Sequence, residues 1–177
     1  MHTEVLDFWF AQIDPAQWFA VDAAFDARIR TRFAELLVQA AAAELSAWRV
    51  SAQGRLAEVI VLDQFSRNVH RGTPAAFAQD PMALVLAQEA VAGGALQQLD
   101  PVQRNFLLLP YMHSESRRIH AVAEALYREY APAQLDFELQ HRAIIDRFGR
   151  YPHRNAILGR VATAAEIEFL RQPGSRF

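Results

Sequence analysis

Four times in this chain a capping residue stands directly before proline, at Asp14-Pro15, Thr73-Pro74, Asp80-Pro81 and Asp100-Pro101. An aspartate or threonine side chain can take a free backbone N–H at a helix start, and proline in the first helical position loses no hydrogen bond there. Thr163-Ala-Ala-Glu166 adds a capping box. Gly72, Gly93-Gly94 and Gly149 fall where helices between these starts should stop. With 32 alanines against seven glycines, the composition between the marks favours helix.

The apolar spacing agrees. Phe25, Ile29, Phe33, Leu36, Leu37 and Ala40 form one stripe, and Leu56, Val59 and Ile60 begin a second. Met82, Val85, Leu86 and Ala90 form a third, Ile119, Val122, Leu126 and Tyr130 a fourth, and Phe137, Ile144, Ile145 and Phe148 a fifth. Shorter helices are predicted over 3–11, 74–79, 101–109 and 164–171. Strict alternation and hairpin turns are absent, so the reading is an all-α domain over 1–177, with antiparallel neighbours across short connections. No tetratricopeptide consensus recurs at a fixed period.

Several function classes fall away on composition. The chain has no cysteine, which removes a disulfide framework, a thiolate zinc site and a cysteine nucleophile. All 18 basic residues are arginine against 20 acids, so neither nucleic-acid nor membrane affinity is expected. The N-terminal residues lack the features of a signal peptide, and the longest apolar runs are too short to span a bilayer; a cytoplasmic protein is expected. No G-x-S-x-G elbow is present, and Ser114 is expected to cap the fourth helix with Glu115 in its first turn.

Ionisable residues on the apolar stripes point to a site. At about 100° per residue, Asp63 and Arg67 share the face of Leu56, Val59 and Ile60, close enough to pair. Glu115 lies one turn before Ile119, and His141 lies between Phe137 and Ile144. Buried charges demand partners, so each fits a structural pairing: Asp63 with Arg67, Glu115 with an arginine, His141 with a backbone carbonyl. Their convergence equally suits an active site. The segment from His141 to Arg160 holds Arg142, Arg147, Arg150, Arg154 and Arg160 against Asp146, a local charge of +4 where the rest of the chain carries −6. Guanidinium groups match carboxylate and phosphate bidentately.

Glu138-Leu-Gln-His141 has the spacing of one di-iron helix ligand pair, but a bundle site needs two such pairs. His113, Glu115, His141 and His153 also suit a single divalent metal. Five nearby guanidinium groups oppose a bare cation, and no cofactor is predicted.

Val5-Leu-Asp-Phe-Trp-Phe10, Trp18-Phe19, Val61-Leu-Asp-Gln-Phe-Ser-Arg-Asn68, Arg71-Gly-Thr73, Ala76-Phe77, Asp80, Leu109-Pro-Tyr-Met-His-Ser-Glu115, His141 to Arg160 and Thr163 together resemble the bacterial domain-of-unknown-function 924 family. The likeness spans nearly the whole chain. It departs at Ser116-Arg-Arg-Ile-His120, where the family usually shows acids and a glutamine. The resemblance implies a tetratricopeptide-like superhelical array of helix pairs and brings no activity. It adds Asn68 and Asn155 to the motif residues Asp63, Arg67, His113, Glu115, His141, Arg147, Arg150, His153, Arg154 and Arg160.

Two expectations follow. One is a pocket for a small phosphate- or carboxylate-bearing molecule, with Arg67, Arg147, Arg150 and Arg154 as clamps, Glu115, His141 and His153 as acid/base candidates, and hydrolysis or group transfer as the chemistry. The alternative is a helical scaffold whose arginines take an acidic peptide or protein partner.

Overall fold

The structure is a computed structural model that describes residues 1–175; the last two residues of the expected 1–177 domain lie outside the described residues. Among the described residues the regular elements are all helical. The α-helices are α1 (His2–Asp7), α2 (Ala23–Ala41), α3 (Ala52–Ile60), α4 (Ser66–Val69), α5 (Asp80–Ala92), α6 (Pro101–Met112), α7 (Arg117–Tyr130), α8 (Leu135–Phe148) and α9 (Ala164–Phe169). Short 3₁₀ turns, including Pro74–Phe77 and Pro152–Arg154, link several of them.

The cap signals act as read at Asp14, Asp100 and Thr163, where each side chain accepts backbone N–H groups in a capping box. Gly149 closes α8 at φ +70°, in the left-handed region open to glycine without a Cβ penalty. Thr73 holds the cap position before Pro74, but its hydroxyl donates to the His70 carbonyl at 2.7 Å and makes no cap bond to the turn it precedes. At Asp80 the pattern misleads further. Gln79 holds the cap position of α5 without a side-chain bond, and Asp80 is the first helical residue. Ser114 is likewise no cap, since α7 starts only at Arg117 behind Ser116. Glu115 therefore precedes the helix, and its carboxylate bonds elsewhere.

α3 runs into α4 through a π turn, Val61–Phe65, all of whose residues are buried. The wider turn lets Val61, Leu62 and Phe65 meet the core while Asp63 and Gln64 are buried with them. Phe8, Trp9, Phe25, Phe33, Phe65 and Phe106 pack as an aromatic cluster; the Phe33–Phe65 centroids lie 4.8 Å apart and the Trp9–Phe106 centroids 5.6 Å. α6 packs on α7 and α7 on α8, forming a second region beside this core.

Three stripes turn differently from their predicted faces. α5 buries Ala83, Ala87 and Ala90, leaving Val85 55% exposed. α7 buries His120, Ala123 and Tyr127, leaving Val122 49% exposed. α8 buries Glu138, His141, Ile144 and Ile145, leaving Phe137 56% exposed. In α7 and α8 a hydrogen-bonded polar residue takes a place that hydrophobicity alone assigns to a neighbour, whereas in α5 small alanines take it. No described helix is long and apolar enough to cross a membrane.

Candidate functional site

The π turn delivers the first group. Asp63 is 1% exposed. Its Oδ1 lies 2.9 Å from Arg67 Nη1 and 2.8 Å from His113 Nδ1, and its Oδ2 accepts from Gln64 at 2.6 Å. Burial alone would raise this carboxyl, but Arg67, His113 and Gln64 hold it well below the usual carboxylate range. Asp63 is thus an anion, and His113 donates to it through Nδ1–H. That bond leaves the lone pair on Nε2. Burial, then the Arg67 charge, push His113 below its ordinary value against the opposing pull of Asp63, so the ring is neutral at pH 7.

Arg67 and Arg154 flank this pair. Arg67 Nη1 donates to the Asp63 carbonyl at 2.7 Å, and Nη2 to Asp80 Oδ2 at 3.2 Å. Arg154 Nη1 donates to the same Asp80 oxygen at 3.1 Å, and Nη2 to the His113 carbonyl at 3.1 Å. The Phe77 ring lies under both guanidinium groups, 5.7 Å from Arg67 and 4.6 Å from Arg154; Tyr151 lies 4.8 Å from the latter. Arg154 is buried, and its Nε–H has no hydrogen-bond partner. Arg67, His113 and Asp80 reach solvent with side chains 19%, 16% and 17% exposed.

The turn that carries His113 is held carbonyl by carbonyl. The Tyr151 hydroxyl donates to Met112 O at 2.5 Å, Arg154 takes His113 O, and His120 Nε2 donates to Ser114 O at 2.8 Å. These acceptors include the carbonyls a helix end leaves unsatisfied. His120 is held in turn by Glu138, with Nδ1 at 2.7 Å from Oε1. Both residues are fully buried, and burial raises Glu138 despite the opposing pull of His120. Glu115 closes the turn from its other end. It accepts from the Tyr151 N–H at 2.7 Å and from Arg160 at 2.6 and 2.9 Å. Burial would raise Glu115, but Arg160 and the Tyr151 N–H bring it below its ordinary value.

The expected residues divide accordingly. Asp63, Arg67, His113, Arg154, Glu115 and Arg160 join one bonded network, and Asn155 enters it through Arg160 Nε at 2.9 Å. His141 and His153 flank it against the Tyr151 ring, with centroids 5.8 and 5.6 Å away. His141 Nδ1 donates to the Phe137 carbonyl at 2.7 Å. Burial pushes His141 down to about 3 and, with the Arg154 charge, His153 down to about 4.

Three of the expected residues point elsewhere. Asn68 donates to Asp26 at 2.8 Å, beside Arg71. Arg150 pairs with Glu166 on α9 at 2.7 Å, and that hydrogen bond brings the carboxyl down to about 2. Arg147 stacks on Phe148 at 4.7 Å and lies 5.8 Å from Phe169.

Asp80, Phe77, His120, Glu138 and Tyr151 belong to the network without having been singled out as its members from sequence. Glu138 carries a metal-ligand spacing to His141, but its partner is instead His120; Phe77, Asp80 and Tyr151 have no site signal beyond standing in the stretches that carry the family resemblance. Among the described residues, no cluster of three or more histidines and carboxylates could hold a metal. Two surface depressions, about 440 Å³ along α7 and about 200 Å³ between α2 and residues 66–79, are lined by other side chains. The network instead meets solvent at Arg67, Asp80 and His113 and, from its other end, at Glu115 and Arg160.

The profile of a family described as "Bacterial protein of unknown function (DUF924)" matches residues 5–174. A solved structure, that of a protein of unknown function, ATU0120, from Agrobacterium tumefaciens, is similar at a TM-score of 0.90 and 38% identity, over 96% of this chain and 96% of that one. No match is found among curated proteins.

Proposed function

The chain belongs to the bacterial DUF924 family of unknown function, and for it we propose an acid–base site for small molecules bearing an oxyanion. His113 is the general base. Arg67 and Arg154 hold the anionic group, and proton transfer at an adjoining ester or similar bond gives hydrolysis or group transfer. The observation that carries this reading is the 2.8 Å bond from His113 Nδ1 to the buried Asp63 carboxylate. A buried carboxylate on one ring nitrogen fixes the tautomer and orients the other nitrogen as a base. Burial keeps the imidazole unprotonated at neutral pH, as a base requires.

Glu115 fits a supporting role, because both its oxygens are engaged by Arg160 and one also takes the Tyr151 N–H. It braces the turn beneath His113. The test is turnover of p-nitrophenyl acetate and p-nitrophenyl phosphate by the wild type and by His113→Gln. Loss of a general base lowers kcat by about 10²- to 10⁴-fold. Equal rates from the two proteins, or no turnover of either ester, would count against the catalytic part of this reading. Binding of acetate or phosphate by the wild type tests the rest.

A further inference from the structure

Aspartate stands before proline three times in this chain, and only two of these residues cap a helix. Asp14 accepts from Ala16 N at 2.8 Å, and Asp100 accepts from Val102 N and Gln103 N at 2.9 Å. Asp80 has the same local sequence, yet α5 begins without a side-chain cap. Its carboxylate lies instead between two guanidinium groups, with Oδ2 3.2 Å from Arg67 Nη2 and 3.1 Å from Arg154 Nη1.

We propose that Arg67 and Arg154 form a seat for the carboxylate of a small ligand, and that Asp80 fills this seat in the free protein as an internal carboxylate. The inference rests on the oxyanion-site reading above and names its ligand class.

Three observations support it. First, both arginines of the seat are anchored to groups other than its occupant. Arg67 stays anchored to the Asp63 carbonyl at 2.7 Å and to its Oδ1 at 2.9 Å. Arg154 stays anchored to the His113 carbonyl at 3.1 Å and between the Phe77 and Tyr151 rings. Each guanidinium group therefore has anchors that do not involve Asp80.

Second, Asp80 fits incompletely. Its Oδ1 lies 3.1 Å from Arg67 Nη1 but is buried without a hydrogen bond, and the buried Nε–H of Arg154 has no partner either. A side chain tethered to the start of α5 cannot adjust as a free carboxylate can. Displaced, Asp80 remains in the first turn of α5, where the helix dipole favours an anion.

Third, the charges match. Arg67 and Arg154 against Asp63 leave a single positive charge once Asp80 withdraws, which one carboxylate neutralises and a phosphate dianion exceeds. The seat also adjoins the base, because Arg67 Nη1 and His113 Nδ1 both contact Asp63 Oδ1.

The experiment is calorimetric titration of the wild type, Asp80→Asn, Arg154→Gln and the double variant with acetate and with inorganic phosphate at matched ionic strength. Circular dichroism monitors folding. Removing an internal competitor raises apparent affinity by the reciprocal of the open fraction. Acetate should bind Asp80→Asn at least about tenfold more tightly than the wild type, and more tightly than phosphate does. Arg154→Gln should lose acetate with or without the Asp80 change. Should the Asp80 variant fail to fold, the ¹³Cγ resonance of Asp80 in the wild type supplies the same test, since it should move as acetate saturates.

Equal or weaker acetate binding by Asp80→Asn beside a binding wild type overturns this inference and leaves the site reading standing. So does an unmoved Asp80 resonance at acetate saturation. Tighter binding of phosphate than acetate overturns the carboxylate assignment. No binding of either anion by any of the four proteins overturns the oxyanion site itself.

Discussion

The aromatic core and the region between α6 and the 151–160 segment are both buried, but they are held by different forces. In the first, Phe65 meets Phe33, Trp9 and Phe8 at centroid distances of 4.8, 5.6 and 6.2 Å, and area removed from water does the stabilising. In the second, Tyr151, Arg154 and His120 each take one backbone carbonyl of a single turn, and Arg160 takes Glu115. Ring packing tolerates adjustment, whereas a buried hydrogen bond strands its partner when broken. The first region is therefore a scaffold. The second holds a few side chains in fixed geometry, as a site needs.

This contrast can be broken by substitution. Among the substitutions at neutral pH, the largest effect belongs to the aromatic core. Phe65→Ala should cost about 3–5 kcal/mol of unfolding free energy by urea titration, because the ring is fully buried among other rings. A loss near 1 kcal/mol would mean that the core closes over the gap and is less tightly packed than its ring distances indicate. Tyr151→Phe comes next. It keeps the ring but leaves the Met112 carbonyl without its hydroxyl donor, and the same titration should register about 1–3 kcal/mol. No loss would make that hydroxyl contact dispensable.

The polar region should also impose a pH dependence that the aromatic core does not. His141 and His153 have folded values of about 3 and about 4, below the roughly 6.5 of an unfolded histidine. The unfolded chain therefore binds protons that the folded chain refuses. The resulting stability is complete above about pH 6.5 and declines as pH falls toward the folded values, by about 1.4 kcal/mol per pH unit for each ring. Urea titrations from pH 7 to pH 4.5 should show this fall, and His141→Gln should remove about half of the part due to these two rings. The smallest effect is on the surface. Arg171 and Glu168 are 72% and 65% exposed, and Arg171→Gln should shift stability by less than about 0.5 kcal/mol.

What was legible in the sequence follows from range. Asp63 and Arg67 are one helical turn apart, so their pairing is local and their spacing reveals it. Glu115 and Arg160 meet across 45 residues, and no count of charges in the 141–160 segment says which arginine returns to which acid. Hence Arg154 and Arg160 reach the turn while Arg150 goes to α9. The faces of α7 and α8 differ from those that apolar spacing predicts, because that spacing registers apolar residues alone. His120 and Glu138 are buried through their bond to each other, which hydrophobic spacing cannot register. Asp80 was hidden by the opposite problem, a local signal too plausible. Before proline it reads as a cap, and only the tertiary approach of Arg67 and Arg154 draws it away. Asn68, which the family resemblance brought in, turns to Asp26 instead.

The protonation state of His113 tests the central claim most directly. Nitrogen-15 NMR of the histidine rings, with pH titration, reads the tautomer and the titration midpoint together. The account predicts a neutral ring at pH 7 with the proton on Nδ1 and the lone pair on Nε2, and a midpoint below the ordinary value of about 6.5. In Asp63→Asn that fixed tautomer should be lost. A wild-type ring that carries its proton on Nε2, or that titrates like a solvent-exposed histidine, would contradict the account.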